Sequence, residues 1–310
     1  MGLDGFIQII LGSLLQSSIL ALATFGIVLI FKTSFTTNFA QGSIASFGAY
    51  VMFVVITTVV TKALPEGTTV TPWWVFIVGM LGAVITAFII GLLVDTMIIR
   101  RARQISSAGK QMITMGLVLI LTAMTDIVFG VLPKQMPRIS AGNNVFTVGE
   151  NFRISITTHN LFAIIVAFSV IILTFMALRF TKWGLGVRAT ASNEIISSMM
   201  GVNTRFITAI SWAVAGSLGA LGAALYAPTI STLSSAMMTS MQVNGFLALI
   251  LGGASTFYGP VIAAIFIPIV SGFIAYFESV WQPIIVYSLI LIIILIKPTG
   301  IFGKRVQKKV

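Results

Sequence analysis

Residues 206–277 read FITAISWAVAGSLGALGAALYAPTISTLSSAMMTSMQVNGFLALILGGASTFYGPVIAAIFIPIVSGFIAYF, which is 72 residues without one Asp, Glu, Lys or Arg. As one straight helix this stretch would be about 108 Å long, far more than the roughly 30 Å hydrocarbon core of a bilayer. It must therefore cross a membrane and fold back. Pro228 and the pair Gly259-Pro260 are the expected breaks, and they divide the stretch into three segments.

The rest of the chain has the same character. Hydrophobic residues make up 57% of the sequence, charged residues 8%, and the mean hydropathy is +1.07. No soluble domain of 310 residues needs so much apolar sequence to fill one core. We predict an all-α polytopic membrane protein that forms a single transmembrane domain over residues 1–310.

The net charge of +11 comes from basic residues in the short gaps between apolar runs. Fourteen of the 18 basic residues fall into four groups, which are Lys32; Arg100, Arg101, Arg103 and Lys110; Arg179, Lys182, Arg188 and Arg205; and Lys297, Lys304, Arg305, Lys308 and Lys309. This pattern is typical of the positive-inside rule and not of nucleic-acid binding. The groups are therefore expected in the cytoplasm, together with the C-terminus.

Alternation between the two sides then fixes the expected number of spans. About nine transmembrane segments are predicted, or eight to ten if one is broken or re-entrant, with the N-terminus outside. They lie at about 6–31, 43–61, 73–98, 112–132, 159–178, three within 206–277, and 283–296. The loop at 133–158 is expected outside, with a short hairpin that turns at Gly142-Asn143-Asn144.

Several kinds of chemistry have no residues to support them. The chain has no GxxxxGK[ST] loop for ATP phosphates, no cysteine, one histidine (His159) and no clustered carboxylates. We therefore expect no metal site, no cofactor bound by this chain and no catalytic activity. Asp126 is the one acid that falls within a predicted span, about two turns from its outer end, and it either packs against a polar group of another helix or couples transport to an ion.

The loop at 179–205 carries apolar residues at helical spacing. Ile195, Ile196, Met199 and Met200 fall on one face of a short helix predicted at about 191–201. Ser192 or Asn193 can cap its start, Glu194 suits the first turn, and Gly201 suits the end. This helix either lies on the lipid surface or docks into a groove on a partner protein.

The stretch TNFAQGS at 37–43 places two amides beside apolar segments. Asn38 and Gln41 have the spacing of a capping box, with each amide satisfying a backbone donor of a helix that starts near Phe39. The alternative is backbone opened inside the bilayer to meet a polar solute. Small residues follow in this segment and in the span after Arg205, which predicts close helix packing.

Taken together, several motifs resemble the permease subunits of branched-chain amino acid ABC importers, the LivH and LivM type. The matching segments are NFAQGSIASFGAY at 38–50, GLGVRATASNEIISSMMGV at 184–202, LGGASTFYGPVIA at 251–263 and KPTGIFG at 297–303. They follow the order of the family pattern along nearly the whole chain.

The resemblance implies a permease of the bacterial inner membrane that moves hydrophobic amino acids by alternating access. The implied partners are a second similar permease, two cytoplasmic ATPase subunits that bind ATP and Mg, and an extracellular solute-binding protein. Residues 179–205 would form the ATPase-coupling loop, through Arg188, Glu194, Ile195, Ile196, Met199, Met200 and Gly201.

Two further sets of residues complete the prediction. The candidates for the substrate path are Asn38, Gln41, Ser46, Tyr50, Gln242 and Asn244, and those for helix packing are Gly42, Gly48, Gly252 and Gly253. Asn38 and Asn244 are also candidates for an inverted pair of broken helices. The alternative substrates are urea, amides or another small solute. The alternative functions are an ion-coupled secondary carrier and an interaction or assembly protein that transports nothing.

Overall fold

The computed structural model describes residues 3–63, 71–102, 105–139, 143–148, 152–230 and 232–303. The helices are α1 (Leu3–Ser34), α2 (Gln41–Ala63), α3 (Trp73–Leu93), α4 (Ser107–Phe129), α5 (Thr158–Phe180), α6 (Lys182–Ser192), α7 (Glu194–Met199), α8 (Thr204–Tyr226), α9 (Thr239–Gly252), α10 (Tyr258–Phe277) and α11 (Gln282–Ile296). A π-helical turn, Val94–Ile99, continues α3, and a 3₁₀ turn, Ala227–Thr229, follows α8. The strands are β1 (Asn143–Val148) and β2 (Phe152–Thr157).

The prediction of an all-α polytopic membrane protein is confirmed. Seven helices of the described chain, α1 to α5, α8 and α10, are long and apolar enough to cross a bilayer, while the apolar helices α9 and α11 have 14 and 15 residues. Each of the nine predicted segments coincides with one of these nine helices. The number that actually cross stays a prediction.

α1 and α8 form the centre of the bundle. Of their most apolar windows, 83% and 72% of the residues are buried, against 22% for α4 and 28% for α5. Trp212 on α8 is fully buried, and its indole N–H donates to Ser34 Oγ at the end of α1 (2.8 Å). α2 and α3 pack against α8, α9 and α10 pack against α1, and α4 contacts the bundle through α2.

Small residues allow α3 and α8 to approach closely. A Cβ added to Gly91 or to Gly216 would lie 2.5 Å from a backbone oxygen of the facing helix, that of Trp212 or Ala87 respectively. Close backbone approach is the usual way for helices to pack where the hydrophobic effect does not drive them together.

The last described residues pack against the turn between α9 and α10. Ile301 N donates to Leu251 O (2.8 Å) and Phe302 N to Gly252 O (3.2 Å). Gly253 and Gly300 have φ values of +94° and +81° and lie against one another, so any side chain there would meet backbone. The turn after α9 and the segment after α11 therefore pack together through backbone hydrogen bonds and close glycine contacts.

The predicted hairpin exists, but its turn was wrongly placed. β1 and β2 pair antiparallel with Asn143 opposite Thr157 and Val148 opposite Phe152. Asn143 and Asn144 therefore lie in the first strand and not in the turn, and Gly142 lies outside the described residues.

We call the end of the bundle that carries Lys32, Arg100, Lys110, Arg179 and Arg205 the basic end, and the opposite end, which carries β1 and β2, the hairpin end. At the basic end, Arg100 Nη2 donates to Arg205 O (2.9 Å), which brings the end of α3 to the start of α8. At the hairpin end, Arg138 Nε donates to Pro228 O (2.9 Å), and β2 runs directly into α5.

Candidate functional site

The segment before α2 enters the bundle as open backbone. Gln41 Nε2 donates to Ala215 O on α8 (2.6 Å), and a Cβ on Gly26 of α1 would lie 2.9 Å from the same nitrogen. Gly26 precedes the end of α1 by about 12 Å, and Ala215 follows the start of α8 by about 16 Å, at 1.5 Å per residue. α2 therefore begins well inside the bundle, and residues 35–40 run from the basic end to that depth.

The polar backbone groups of this segment are satisfied by other parts of the protein. Ala40 N donates to Asn38 Oδ1 (3.0 Å), and Phe39 N donates to Thr114 Oγ1 on α4 (3.2 Å). Phe39 O accepts from Gln242 Nε2 on α9 (2.6 Å). Non-helical backbone at membrane depth is tolerated only where protein or a water-filled cavity surrounds it.

Gln242 joins the start of α2 to α9. Its Oε1 accepts from Gly42 N while its Nε2 donates to Phe39 O, so one side chain satisfies an N–H of the first turn of α2 and a carbonyl of the segment before it. The Phe39 and Phe246 rings pack beside it with centroids 5.1 Å apart. We call this arrangement the α2–α9 junction. α9 also begins there, because a Cβ on Gly42 would lie 3.2 Å from Met238 O, just before α9.

The capping box predicted from NxxQ is confirmed only in part. Asn38 satisfies a backbone N–H, but that of Ala40, which precedes α2. Gln41 satisfies none, because its Oε1 accepts from Asn38 Nδ2 (3.4 Å) and its Nε2 donates to Ala215 O on α8. α2 begins at Gln41 and not near Phe39. The cap that sequence assigned to Gln41 is supplied instead by Gln242, 200 residues away from Gly42.

The other candidates for the substrate path lie in two places. Ser46 and Tyr50 are buried on α2, where Tyr50 Oη donates to Leu233 O (3.2 Å) and Ser46 Oγ has no hydrogen-bond partner among the described residues. Asn244 faces away from the junction, and its Oδ1 accepts from Tyr287 Oη on α11 (3.2 Å). The structure thus groups Asn38, Gln41 and Gln242 and leaves Asn244 outside their network.

The packing candidates occupy close contacts. A Cβ on Gly42 would meet Gln242 Oε1, one on Gly48 would lie 2.9 Å from Ala220 Cβ, and one on Gly252 would lie 2.4 Å from the Gly259 carbonyl group. Gly253 is the positive-φ residue that ends α9.

The loop at 179–205 folds as two helices, α6 and α7. Sequence reasoning predicted the second and missed the first. Asn193 caps α7, since its Oδ1 accepts from Ile196 N (3.1 Å), and Gly201 follows the helix with φ +86°. Arg188 Nη2 on α6 donates to Arg179 O (3.4 Å).

The predicted apolar face of α7 is exposed. The exposed fractions are 68% for Ile195, 57% for Ile196, 79% for Met199 and 80% for Met200. Ser197 is the buried residue of this helix. Four large apolar side chains pointing outward on one short helix form an exposed apolar patch, a feature that marks sites of contact with protein or membrane.

A charged cavity of about 310 Å³ lies behind α7 at the basic end. Its charged lining residues are Asp95, Arg100, Lys110, Glu194 and Arg205. Asp95, in the π-helical turn, pairs with Arg100 (3.2 Å). Glu194 and Ile195 of α7 line this cavity together with residues at the ends of α1, α3 and α8.

Residues 9–296 match the family model "Branched-chain amino acid transport system / permease component". The chain is 23% identical over 306 residues to the high-affinity branched-chain amino acid transport system permease protein LivH of Escherichia coli, with 98% of both chains covered.

Similar proteins are also found in two other organisms. The permease protein BraD of Pseudomonas aeruginosa is 22% identical over 310 residues, with 98% of both chains covered. A probable LivH of Methanocaldococcus jannaschii is 25% identical over 307 residues, covering 96% of this chain and 92% of that protein. No solved structure matches the chain.

The family match spans α1 to α11 and includes both the α2–α9 junction and the α6–α7 loop. The apolar helices and these relatives place the protein in the inner membrane as a multi-pass subunit of an ABC transporter. The chain belongs to the family of branched-chain amino acid transport system permeases.

Proposed function

We propose that this chain is the permease of an ABC importer that takes up branched-chain amino acids by alternating access. In this proposal it pairs with a second, similar permease, binds two ATPase subunits at its basic end and receives solute from a binding protein at its hairpin end. The basic end and the C-terminus face the cytoplasm. All nine apolar helices cross or partly cross the membrane, and ATP and Mg are bound by the partners alone.

The observation that carries this proposal is the exposed apolar face of α7. α7 lies at the basic end, where Asn193 caps its start and Gly201 follows its end. Two of its residues line the charged cavity at the ends of α1, α3 and α8. A helix of this form fits a groove on a partner, where its Ile and Met side chains become buried. Residues 179–205 would then serve as the coupling loop of a single membrane domain.

A secondary carrier is less well supported by the structure. Asp126 is half-buried, with Tyr50 as a titratable neighbour, and the ion pair of Asp95 with Arg100 lies at the basic end. A single acid inside a span makes a poor ion-coupling relay.

The test is reconstitution of the complete transporter in proteoliposomes. Met199→Glu places a charge on the α7 face, and Gly201→Trp places a bulky side chain at a positive φ; we expect both to abolish leucine uptake and solute-stimulated ATP hydrolysis. The matched control is Ser192→Glu, an exposed position at the end of α6. Normal stimulation in both α7 variants would overturn the coupling role.

The same preparation tests the class of transporter and the substrate. Uptake by the purified chain without ATP or partners would favour a secondary carrier. Competition of leucine uptake by isoleucine and valine, and not by urea, is expected; uptake of urea instead would retain the ABC permease and change its substrate.

A further inference from the structure

A second polar region lies between α1, α9, α10 and α11. A cavity of about 160 Å³ opens there, and its polar lining residues are Gln16, Asn244, Ser271, Gln282 and Tyr287. Apolar side chains, among them Leu20, Met241 and Val286, form the rest of its wall. Gln16 precedes the end of α1 by about 27 Å and Gln282 begins α11, so the cavity lies in the half of the bundle nearer the hairpin end.

The polar lining distinguishes this face from the lipid-facing helices. Exposed positions on α4 are mainly apolar, as at Met115, Leu119 and Ile127, whereas Gln16 is an exposed amide on a helix that is otherwise largely buried. In the described part of the chain the Gln16 side chain has no hydrogen-bond partner. An amide directed into hydrocarbon would lose its hydrogen bonds to water, so this face meets water, solute or protein.

The chemistry of the lining selects one class of ligand. Tyr287 donates to Asn244 Oδ1, and Gln282 Nε2 donates to Ser271 Oγ, which leaves the Asn244 amide N–H groups, the Gln282 amide oxygen and both ends of the Gln16 amide for a ligand. Amide N–H groups suit a carboxylate and amide oxygens suit an ammonium group. No charged residue lines the cavity, so a ligand with net charge would be buried without a counter-ion.

The size and shape of the cavity restrict the ligand further. Sites for drug-sized ligands are roughly 300–1,000 Å³, so a cavity of about 160 Å³ holds one small solute. The apolar wall offers a place for an aliphatic side chain. Pro268 in the α10 wall lacks a backbone N–H and interrupts the helical hydrogen bonding, which allows this wall to bend.

We propose that this cavity is the solute site of the transporter when it opens toward the hairpin end, and that it binds a small zwitterion with an apolar side chain. The proposal rests on the proposed function and adds its binding residues. Met241 lines the cavity and the next residue, Gln242, lies in the α2–α9 junction, so in this proposal the junction closes the route to the basic end.

The chain contains no cysteine, which makes single-cysteine labelling a clean test. Ser271→Cys and Asn244→Cys are introduced into the complete reconstituted transporter and treated with a membrane-impermeant methanethiosulfonate reagent. We expect both to react, and we expect leucine delivered by its binding protein to slow the reaction about tenfold. The control is Ser169→Cys on the exposed face of α5, which should react only with a lipophilic maleimide.

Uptake measurements give a second readout. Gln16→Leu and Asn244→Leu should raise the leucine concentration for half-maximal uptake about tenfold, which corresponds to the loss of roughly one hydrogen bond. Reaction of the cavity cysteines with lipophilic maleimide alone would make this a lipid face, and no reaction with either reagent would make it a buried protein interface.

Reaction with lipophilic maleimide alone, or with neither reagent, would overturn the proposed site. Labelling that leucine does not slow would also overturn it. If leucine is taken up yet leaves labelling unchanged, the site is wrong and the proposed function stands. If urea and not leucine slows labelling, the site stands and the substrate in the proposed function is wrong.

Discussion

Two amides on α9, Gln242 and Asn244, lie two residues apart and have opposite surroundings. Two residues correspond to about 200° around an α-helix, so the side chains point to opposite faces. Gln242 accepts from Gly42 N and donates to Phe39 O, so both of its polar atoms bond to backbone at the start of α2. Asn244 accepts from the Tyr287 hydroxyl and lines the cavity between α1, α10 and α11. The first amide completes the fold, and the second leaves hydrogen-bonding groups for a ligand.

The difference shows that a polar residue in an apolar segment has no single meaning. An amide whose partners are all within the chain stabilises irregular backbone at depth. An amide with spare donors beside an open cavity is available for solute. Substitutions that remove each amide should therefore separate stability from transport.

The largest expected effect is that of Gln242→Leu. It leaves Gly42 N–H and the Phe39 carbonyl without their partner, and each unpaired buried group costs about 1–3 kcal/mol. We expect the free energy of unfolding in detergent micelles to fall by roughly 2–6 kcal/mol. Asn244→Leu is the matched control on the same helix and should change it by less than about 1 kcal/mol. Equal losses in the two variants would mean that the junction is not the source of stability.

A smaller loss is expected for Asn38→Ala. The side chain accepts from Ala40 N just before α2, and loss of one such buried hydrogen bond typically costs about 1 kcal/mol. Leucine uptake, divided by the amount of folded transporter recovered after size-exclusion chromatography, should stay at the wild-type level. A normal yield with reduced uptake per folded molecule would instead make Asn38 a solute contact.

Sequence predicted the parts of this fold that depend on local pattern. Charge-free runs and their flanking basic residues located nine apolar helices, and the spacing around Ile195 located α7 with its cap. These features are encoded within about one helix length. The hairpin was also predicted, but its turn was wrong because Asn143-Asn144 resembles a turn and lies in a strand.

Features that depend on distant residues were not predicted. The partner of Gly42 N–H is Gln242, and no periodicity links two positions so far apart. Gln16, Ser271, Gln282 and Tyr287 were missed as cavity residues because they belong to three helices whose packing decides where they meet. The available signal was polarity within an uncharged run, which is equally strong for the structural amide Gln41.

The smallest expected effect on stability is that of Ser46→Ala. Ser46 lies one turn after Gly42 on α2, it is 1% exposed, and its Oγ has no hydrogen-bond partner among the described residues. Removing a buried hydroxyl without a partner should leave the free energy of unfolding unchanged or raise it by up to about 1 kcal/mol. Ser43→Ala is the matched control, because its Oγ lies 3.5 Å from Thr122 Oγ1, and it should lower stability slightly.

Transport then decides what the Ser46 hydroxyl is for. A buried donor that is left unpaired in the closed junction is available to a solute that passes between α2 and α9, so leucine uptake by Ser46→Ala should fall several-fold at unchanged or higher stability. Unchanged uptake would remove Ser46 from the solute path and leave the cavity beside Asn244 as the place where this chain recognises its substrate. Lower stability would show that the hydroxyl has a partner, and Ser46 would then belong with Gln242 among the residues that complete the fold.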